Sequence, residues 1–140
     1  MEIIQTGIKD LLIIKGKLHS DIRGNFQKVF DSEINDLLNV NIIEIYYSVS
    51  KKNVIRGMHF QLPPDDCAKI VYVTKGSIVD VVIDIRKNSD TYNTFKVFNI
   101  GQLNGTYLYL PSGIAHGFLS LEDGTIVNYE WDFNNDGSYE

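Results

Sequence analysis

Short apolar stretches alternate with clusters of turn residues along most of the chain. Residues 77–85, SIVDVVIDI, show the two-residue periodicity of a strand with one buried face. The first two strands are predicted at residues 11–14 and 25–30, and turn clusters such as KKN, LPPDD, KGS and PSG separate the later ones. This spacing predicts an all-β fold of the sandwich or barrel kind. In a jelly roll, inward side chains at one end would line a pocket.

One segment departs from the strand pattern. Residues 31–39, DSEINDLLN, predict one short helix with Asp31 or Ser32 as its N-cap. Leu37 and Leu38 are predicted to face inward.

The composition is that of an ordinary globular chain. Its 140 residues are 44% hydrophobic and 22% charged, which suits one domain spanning residues 1–140. No apolar run reaches the length of a membrane span, and acidic Glu2 stands where a signal peptide would be basic. The single cysteine, Cys67, predicts a cytoplasmic location, and two neighbouring aspartates disfavour it as a nucleophile. The net charge of −5 disfavours nucleic acid as a partner but leaves small anions possible.

The segment RGMHFQ, residues 56–61, places polar groups where a strand would ordinarily be apolar. Lys69 follows ten residues after His59, in phase with Val71, and is therefore predicted to be buried. Lysines are rarely buried without a function. Arg56, His59 and Lys69 are thus candidates for one pocket.

A second unusual stretch is GTYLYLPSGIAHGFLS, residues 105–120. The spacing of Gly105, Pro111, Gly113 and His116 resembles the second motif of the cupin superfamily. The resemblance implies a tight turn between two strands, the second of which carries the histidine into a barrel.

Metal-binding cupins carry two histidines, as HxH, and a nearby glutamate in their first motif. Here His59 is followed by Phe60 and Gln61, which leaves too few ligands for a metal. The sequence predicts no metal and no other cofactor.

Four segments together resemble the dTDP-4-dehydrorhamnose 3,5-epimerase family. They are DIRGNFQKVF, SVSKKNVIRGMHFQ, AKIVYVTKGSIVDVVIDIRKNSDTY and LPSGIAHGFLSLED, and they occur in the family's order. The resemblance implies a cupin-type jelly roll, usually homodimeric, that needs no metal. It also implies action on nucleotide-linked 4-keto-6-deoxy sugars, with inversion of carbons next to the ketone.

The resemblance further implies roles for individual residues. His59 matches the general base, Lys69 the lysine that supports the enolate oxygen, and Tyr129 the tyrosine that serves as acid. The implied substrate-binding residues are Arg56 beside the diphosphate or sugar, Gln61, Asp84 and His116 in the pocket, and Arg23 and Phe26 at the nucleotide. Asp84 and His116 are expected to hydrogen-bond each other, and Arg23 and Phe26 to act partly across the dimer.

Three of these assignments have structural alternatives within the fold. His59 could be a core histidine with satisfied hydrogen bonds, and Lys69 could face solvent. Tyr129 is one of eight tyrosines, so its role rests on the resemblance alone.

The other two alternatives are local charge pairs. Asp84 could simply pair with Arg86, two residues along the same strand face. Arg23 could belong to a turn organised by Asp21.

Some positions depart from the family pattern. Lys28 stands where a glutamate is usual, and Glu44 and Tyr46 stand where Gln and Asn are usual. Because these changes alter donors and acceptors, recognition of the base is expected to change. The family's C-terminal aspartate, which orients the catalytic histidine, has no counterpart in the sequence, so His59 is expected to use another orienting group or none.

The sequence therefore predicts a cytoplasmic, cofactor-independent epimerase of a nucleotide-linked 4-keto-6-deoxy sugar, homodimeric with exchanged N-terminal strands. Two alternatives stay open. One is a 3,4-ketoisomerase of a related nucleotide sugar, although Gln61 occupies the place of that enzyme's second histidine. The other is a non-catalytic sugar-nucleotide-binding cupin.

Overall fold

A computed structural model describes residues 1–62 and 66–133. Within these ranges the chain forms twelve strands and one helix. In chain order they are β1 (Glu2–Gln5), β2 (Leu12–Lys15), β3 (Leu18–Asp21), β4 (Gly24–Gln27), α1 (Ser32–Leu38), β5 (Glu44–Ser50), β6 (Ile55–His59), β7 (Cys67–Lys75), β8 (Ser77–Asp84), β9 (Phe95–Gly101), β10 (Thr106–Leu110), β11 (Ile114–Ser120) and β12 (Thr125–Phe133). No helix in the described part has the length and apolar character needed to cross a membrane.

The strands form two principal antiparallel sheets. The six-stranded sheet has the order β1-β2-β10-β7-β12-β5, and the four-stranded sheet has the order β6-β11-β8-β9. Their facing sides enclose the main hydrophobic core, to which both sheets contribute, for example Val71 and Val127 from one and Val82 and Phe118 from the other. The predicted all-β, cupin-type jelly roll is confirmed.

A second, smaller core lies against the six-stranded sheet and includes Ile34 of α1. The backbone N–H of Ile34 donates to Asp31, which confirms Asp31 as the N-cap. The predicted inward position of Leu37 is wrong, because Leu37 is exposed while Ile34 is fully buried. Ile34 and Leu38, one turn apart, form the inward stripe of this short helix.

The first two N-terminal strands pair within the chain. β1 pairs with β2, and β2 pairs with β10 of the same chain. β1 is the outer strand of the six-stranded sheet and pairs on one side only among the described residues, so the exchange of N-terminal strands with a partner chain stays a prediction. β3 and β4 instead form a separate two-stranded hairpin.

Candidate active site

Two strands that each carry a histidine meet at the edge of the four-stranded sheet. His59 of β6 and His116 of β11 are antiparallel register partners. The strands approach closely here, because a Cβ atom at Gly57 would collide with the backbone of Gly117. Gly57 also has a φ of +133°, a backbone conformation that residues other than glycine rarely adopt. The glycine in RGMHFQ is thus required for His59 to reach its place beside His116.

A cavity of about 300 Å³ lies between the two sheets at this end, in the size range of small-ligand sites. Its lining contains six residues predicted from the sequence: Arg56, His59, Gln61, Lys69, His116 and Tyr129. It also contains Ser48, Phe60 and Trp131, to which the sequence gave no role, and Tyr46, which was expected only at the nucleotide base. The site is therefore more aromatic than predicted.

His59 lies on the exposed edge strand β6 and is itself exposed. This excludes the alternative of a satisfied core histidine. Partial burial, followed by the positive charges of His116, Lys69 and Arg56, lowers the pKa of His59 below its ordinary value. The imidazole is consequently neutral at pH 7 and able to accept a proton.

His116 is buried, and its partner is Asp80 of β8. Nδ1 of His116 lies 3.4 Å from Oδ2 of Asp80, and both side chains are almost inaccessible to solvent. Burial raises the pKa of Asp80, while the hydrogen bond and charge of His116 and the charge of Lys69 oppose that rise. Among the described residues, Oδ1 of Asp80 has no hydrogen-bond partner. Asp80 is a buried carboxylate that the sequence analysis missed.

The predicted bond between Asp84 and His116 is wrong. Asp84 accepts hydrogen bonds from Arg86, Ser89 and Thr91 at 2.6–2.9 Å. Burial works to raise the pKa of Asp84, but these bonds outweigh it and hold the pKa below its usual range. Asp84 therefore anchors the loop after β8, as the alternative pairing with Arg86 anticipated, and does not line the cavity.

Lys69 confirms the predicted burial, since it is only 5% exposed. Burial lowers its pKa, opposed by the charges of Cys67 and Asp80. None of the salt bridges among the described residues involves Lys69. Its Nζ instead lies 4.4 Å from the ring centroid of Trp131.

Tyr129 faces the cavity from β12, in the sheet opposite His59. Its ring stacks on Tyr46 with centroids 4.9 Å apart, and its centroid lies 6.2 Å from that of His116. Burial raises the pKa of Tyr129 well above its ordinary value. The phenol is thus fully protonated at neutral pH.

Arg56 is held at the mouth of the cavity. Its Nε donates to Oγ of Ser50 at 2.9 Å, and its Nη2 lies 3.4 Å from the carbonyl oxygen of Val49. The guanidinium has five N–H donors, so these contacts leave others for an anionic ligand.

Arg23 and Phe26 are not brought into this cavity. They lie on the β3–β4 hairpin, where Arg23 forms a bidentate pair with Asp21, as the turn alternative anticipated. Phe26 is 65% exposed. Lys28 is also outside the cavity and lies 3.8 Å from Asp31.

The donor set does not resemble a metal centre. Across residues 1–62 and 66–133, no group of three or more His, Cys, Asp or Glu side chains is arranged to hold a metal ion. The cavity instead presents a neutral imidazole, a buried ammonium, a protonated phenol and a guanidinium. That combination suits proton abstraction beside a carbonyl group, with the charge taken up by a nearby cation.

The fold and the cavity thus fit an isomerase of the cupin type. A sequence model of the dTDP-4-dehydrorhamnose 3,5-epimerase family matches residues 5–139. The enzyme of that name from Methanothermobacter thermautotrophicus is 38% identical over 129 residues, covering 91% of this chain and 69% of the relative. The Shigella flexneri enzyme is 38% identical over 128 residues, covering 88% and 70%.

Solved structures agree with these relatives. The dTDP-4-dehydrorhamnose 3,5-epimerase of Sulfolobus tokodaii has a TM-score of 0.88 and 38% identity, covering 96% of this chain and 76% of that one. The Legionella pneumophila epimerase, solved with dTDP-4-keto-L-rhamnose, has a TM-score of 0.87 and 32% identity, covering 96% and 73%. The chain belongs to the dTDP-4-dehydrorhamnose 3,5-epimerase family and is an epimerase, as the sequence resemblance implied.

Proposed function

We propose that the chain epimerises a dTDP-linked 4-keto-6-deoxy sugar at carbon next to the ketone, with His59 as base and Tyr129 as acid. The observation that carries this assignment is the position of the two groups on opposing sheets. His59 comes from β6 of the four-stranded sheet and Tyr129 from β12 of the six-stranded sheet, and both line one cavity. Inversion requires that a proton leave one face of a carbon and return to the other.

Lys69 supplies the third requirement. Abstraction of the proton moves negative charge onto the ketone oxygen, and a buried ammonium stabilises that charge more strongly than one in water. Lys69 is on the same sheet as Tyr129, across the cavity from His59. The enolate oxygen would then face Lys69 while the reacting carbon lies between base and acid.

Arg56 and Gln61 complete the substrate site in this proposal. Arg56 offers a forked donor to the diphosphate or sugar, and Gln61 offers an amide to a sugar hydroxyl. Glu44 and Tyr46, with Gln61 and Trp131, line an adjoining recess. We place the nucleotide side of the substrate in this recess. Because Glu44 and Tyr46 differ from the usual family residues, altered recognition of the nucleotide base stays a prediction.

His116 has a different role from His59. Its buried contact with Asp80 fixes the imidazole, and the ring faces both the cavity and Tyr129. We assign it to binding the sugar and keeping Tyr129 in place, with Asp80 acting through His116.

The working form in this proposal is a homodimer in which the β3–β4 hairpin reaches the partner's site. The hairpin projects fully exposed Ile22 and mostly exposed Phe26. The edge strand beside the cavity is also exposed and partly apolar, with Ile55 at 74% and Met58 at 48%. A hairpin from a second copy would cover this edge and exclude water from the substrate. The cytoplasmic location inferred from cysteine usage stays a prediction.

The test is incubation with a panel of dTDP-linked 4-keto-6-deoxy sugars in deuterated water, followed by NMR. Epimerisation gives deuterium at the carbons next to the ketone and a product with inverted configuration there. A product whose ketone has moved would instead identify a 3,4-ketoisomerase. Binding without exchange at any carbon would identify a non-catalytic sugar-nucleotide binder and contradict the proposal.

A further inference from the structure

Lys69 and Trp131 are opposed across two central strands. They are register partners in the antiparallel pair of β7 and β12. Trp131 lies two residues beyond Tyr129, and Lys69 two residues before Val71, so both side chains point into the cavity side of the sheet. Nζ of Lys69 lies over the indole at 4.4 Å from the ring centroid, within the range of a cation–π contact.

We propose that Trp131 is a positioning residue for Lys69, holding its ammonium group over the indole face so that its N–H donors point at the substrate oxygen. This inference rests on the proposed function, in which Lys69 supports the enolate oxygen. Trp131 touches the lysine and is not required to react.

The surroundings of Lys69 show why an aromatic partner suits this role. A carboxylate in contact with Nζ would occupy its donors and neutralise the charge that the enolate needs. The indole face attracts the cation but accepts at most weak hydrogen bonds. The charge of Asp80 acts on Lys69, while Oδ2 of Asp80 lies 3.4 Å from Nδ1 of His116.

Other titratable groups face the same space and must be followed in any pH study. They are Cys67 on β7, Asp80 on β8, Arg56 and His59 on β6, His116 on β11, Tyr129 on β12 and Tyr46 on β5. Burial lowers the pKa of Lys69, and the contact with Trp131 works in the opposite direction by stabilising the charged form.

Trp131 is the only tryptophan in the sequence, so replacing tryptophan with an analogue changes this one ring alone. Replacing it biosynthetically with mono-, di- and trifluorotryptophan weakens the negative face of the ring with little change in shape. The first measurement needs no substrate: the Lys69 Nζ and Cε signals are followed by NMR across pH, with Lys69→Met used for assignment. We expect the pKa of Lys69 to fall stepwise with fluorination.

Trp131→Leu and Trp131→Phe extend the series. Trp131→Leu should abolish the ring-current shift of the Lys69 methylene protons, and Trp131→Phe should retain part of it. In turnover, Trp131→Leu should lower kcat about 3- to 30-fold, the factor by which a cation–π contact can favour the charged form. KM is not diagnostic here, because Trp131 also lines the recess assigned to the nucleotide. The alkaline limb of kcat should move to lower pH. Trp131→Phe should recover most of the loss.

Coupling between the two residues gives a further check. Adding Trp131→Leu to Lys69→Met should cause no additional loss, because the residue it positions is already gone. Fluorination that leaves the Lys69 signals and titration unchanged overturns the proposal, even if Trp131→Leu fails to fold. Failure of the proposed function looks different: the Lys69 signals would still depend on Trp131, but Lys69→Met would keep wild-type turnover.

Discussion

His59 and His116 sit opposite each other across the β6–β11 pair, yet one is exposed and the other is buried. The exposed histidine has a lowered pKa and open access to the cavity. The buried one is tied to Asp80. Two adjacent imidazoles are thereby given different tasks, and the electrostatic influence of His116 contributes to the lowered pKa of His59.

Replacing His59 with alanine should lower turnover by about 10²- to 10⁴-fold, the usual contribution of a general base. The fold should survive, because the side chain is exposed on an edge strand. Deuterium exchange at the sugar, measured by NMR, reports turnover, and thermal unfolding reports the fold. Exchange near the wild-type rate in a folded His59→Ala protein would show that another group is the base.

The pH dependence of His59 follows from its neighbours. The base must be neutral, so kcat/KM should fall as pH drops through the pKa of His59, which lies below its ordinary value of about 6.5. Arg56→Gln removes one of the positive charges that lower this pKa. The pKa of His59 should therefore rise, and the acidic limb should move to higher pH.

The direct measurement is the pH titration of the His59 ring protons by NMR. Lys28→Gln provides the control, because it removes a positive charge outside the cavity. Equal titration curves for the Arg56→Gln and Lys28→Gln proteins would contradict the electrostatic account.

Asp80 is predicted to serve activity and Asp84 to serve stability. Asp80→Asn should lower kcat roughly 10- to 10³-fold, because the amide cannot orient and stabilise His116 as a carboxylate does.

Asp84→Asn should leave the activity per folded molecule unchanged but lower the free energy of unfolding at pH 7. A loss of about 2–3 kcal/mol is expected, because Arg86 would be left with a partner that has no charge.

The Asp84 effect has a defined pH window. Its depressed pKa contributes stability above the unfolded value of about 3.9, and that contribution is lost as pH falls through the folded value. The difference between wild type and Asp84→Asn should thus shrink below about pH 4. Asp10→Asn is the control, since its exposed carboxylate lies 3.7 Å from Arg86 and should matter by less than about 0.5 kcal/mol. A catalytic defect in Asp84→Asn with normal stability would restore the role that the sequence first suggested for it.

The confusion between these two aspartates shows where sequence reasoning stops. Both lie on β8, four residues apart, so both point inward and both are buried. Strand periodicity cannot choose between them. The choice depends on residues 85–94, whose Ser89 and Thr91 return to hydrogen-bond Asp84 and leave Asp80 for His116.

Sequence reasoning succeeded where a local pattern or a motif fixes the direction in which a side chain points. The phase of Lys69 with Val71 predicted its burial, and the resemblance of residues 105–120 to a cupin motif implied that β11 would carry His116 inward. Trp131 could have been found in the same way, because it shares a strand face with Tyr129. The stacking of Tyr46 on Tyr129 could not, since it depends on the pairing of β5 with β12, which no local pattern specifies.

Catalysis is predicted to be independent of metal. Proton transfer between His59 and Tyr129, with Lys69 at the oxygen, requires no Lewis acid. Dialysis against EDTA followed by elemental analysis and assay should leave turnover within about twofold of the untreated protein, a barrier change under about 0.5 kcal/mol. A stoichiometric metal whose removal abolishes turnover, and whose return restores it, would overturn this prediction.

The crossing of the β3–β4 hairpin can be tested by complementation. One variant carries Arg23→Ala and Phe26→Ala in the hairpin, and the other carries His59→Ala in the cavity. Each homodimer should be impaired, because every site lacks either the hairpin contacts or the base.

In a mixed dimer, the cavity with His59 receives the intact hairpin of its partner and should work. Random mixing makes half the dimers mixed, with one good site in two, so about 25% of wild-type activity should return. Mixing wild type with the His59→Ala protein should give about half of wild-type activity with or without exchange, so formation of mixed dimers is confirmed separately by native mass spectrometry. If the hairpin serves its own chain, every mixed dimer still has two defective sites, and mixing should add nothing. Sedimentation of the intact protein as an active monomer would exclude the crossing altogether.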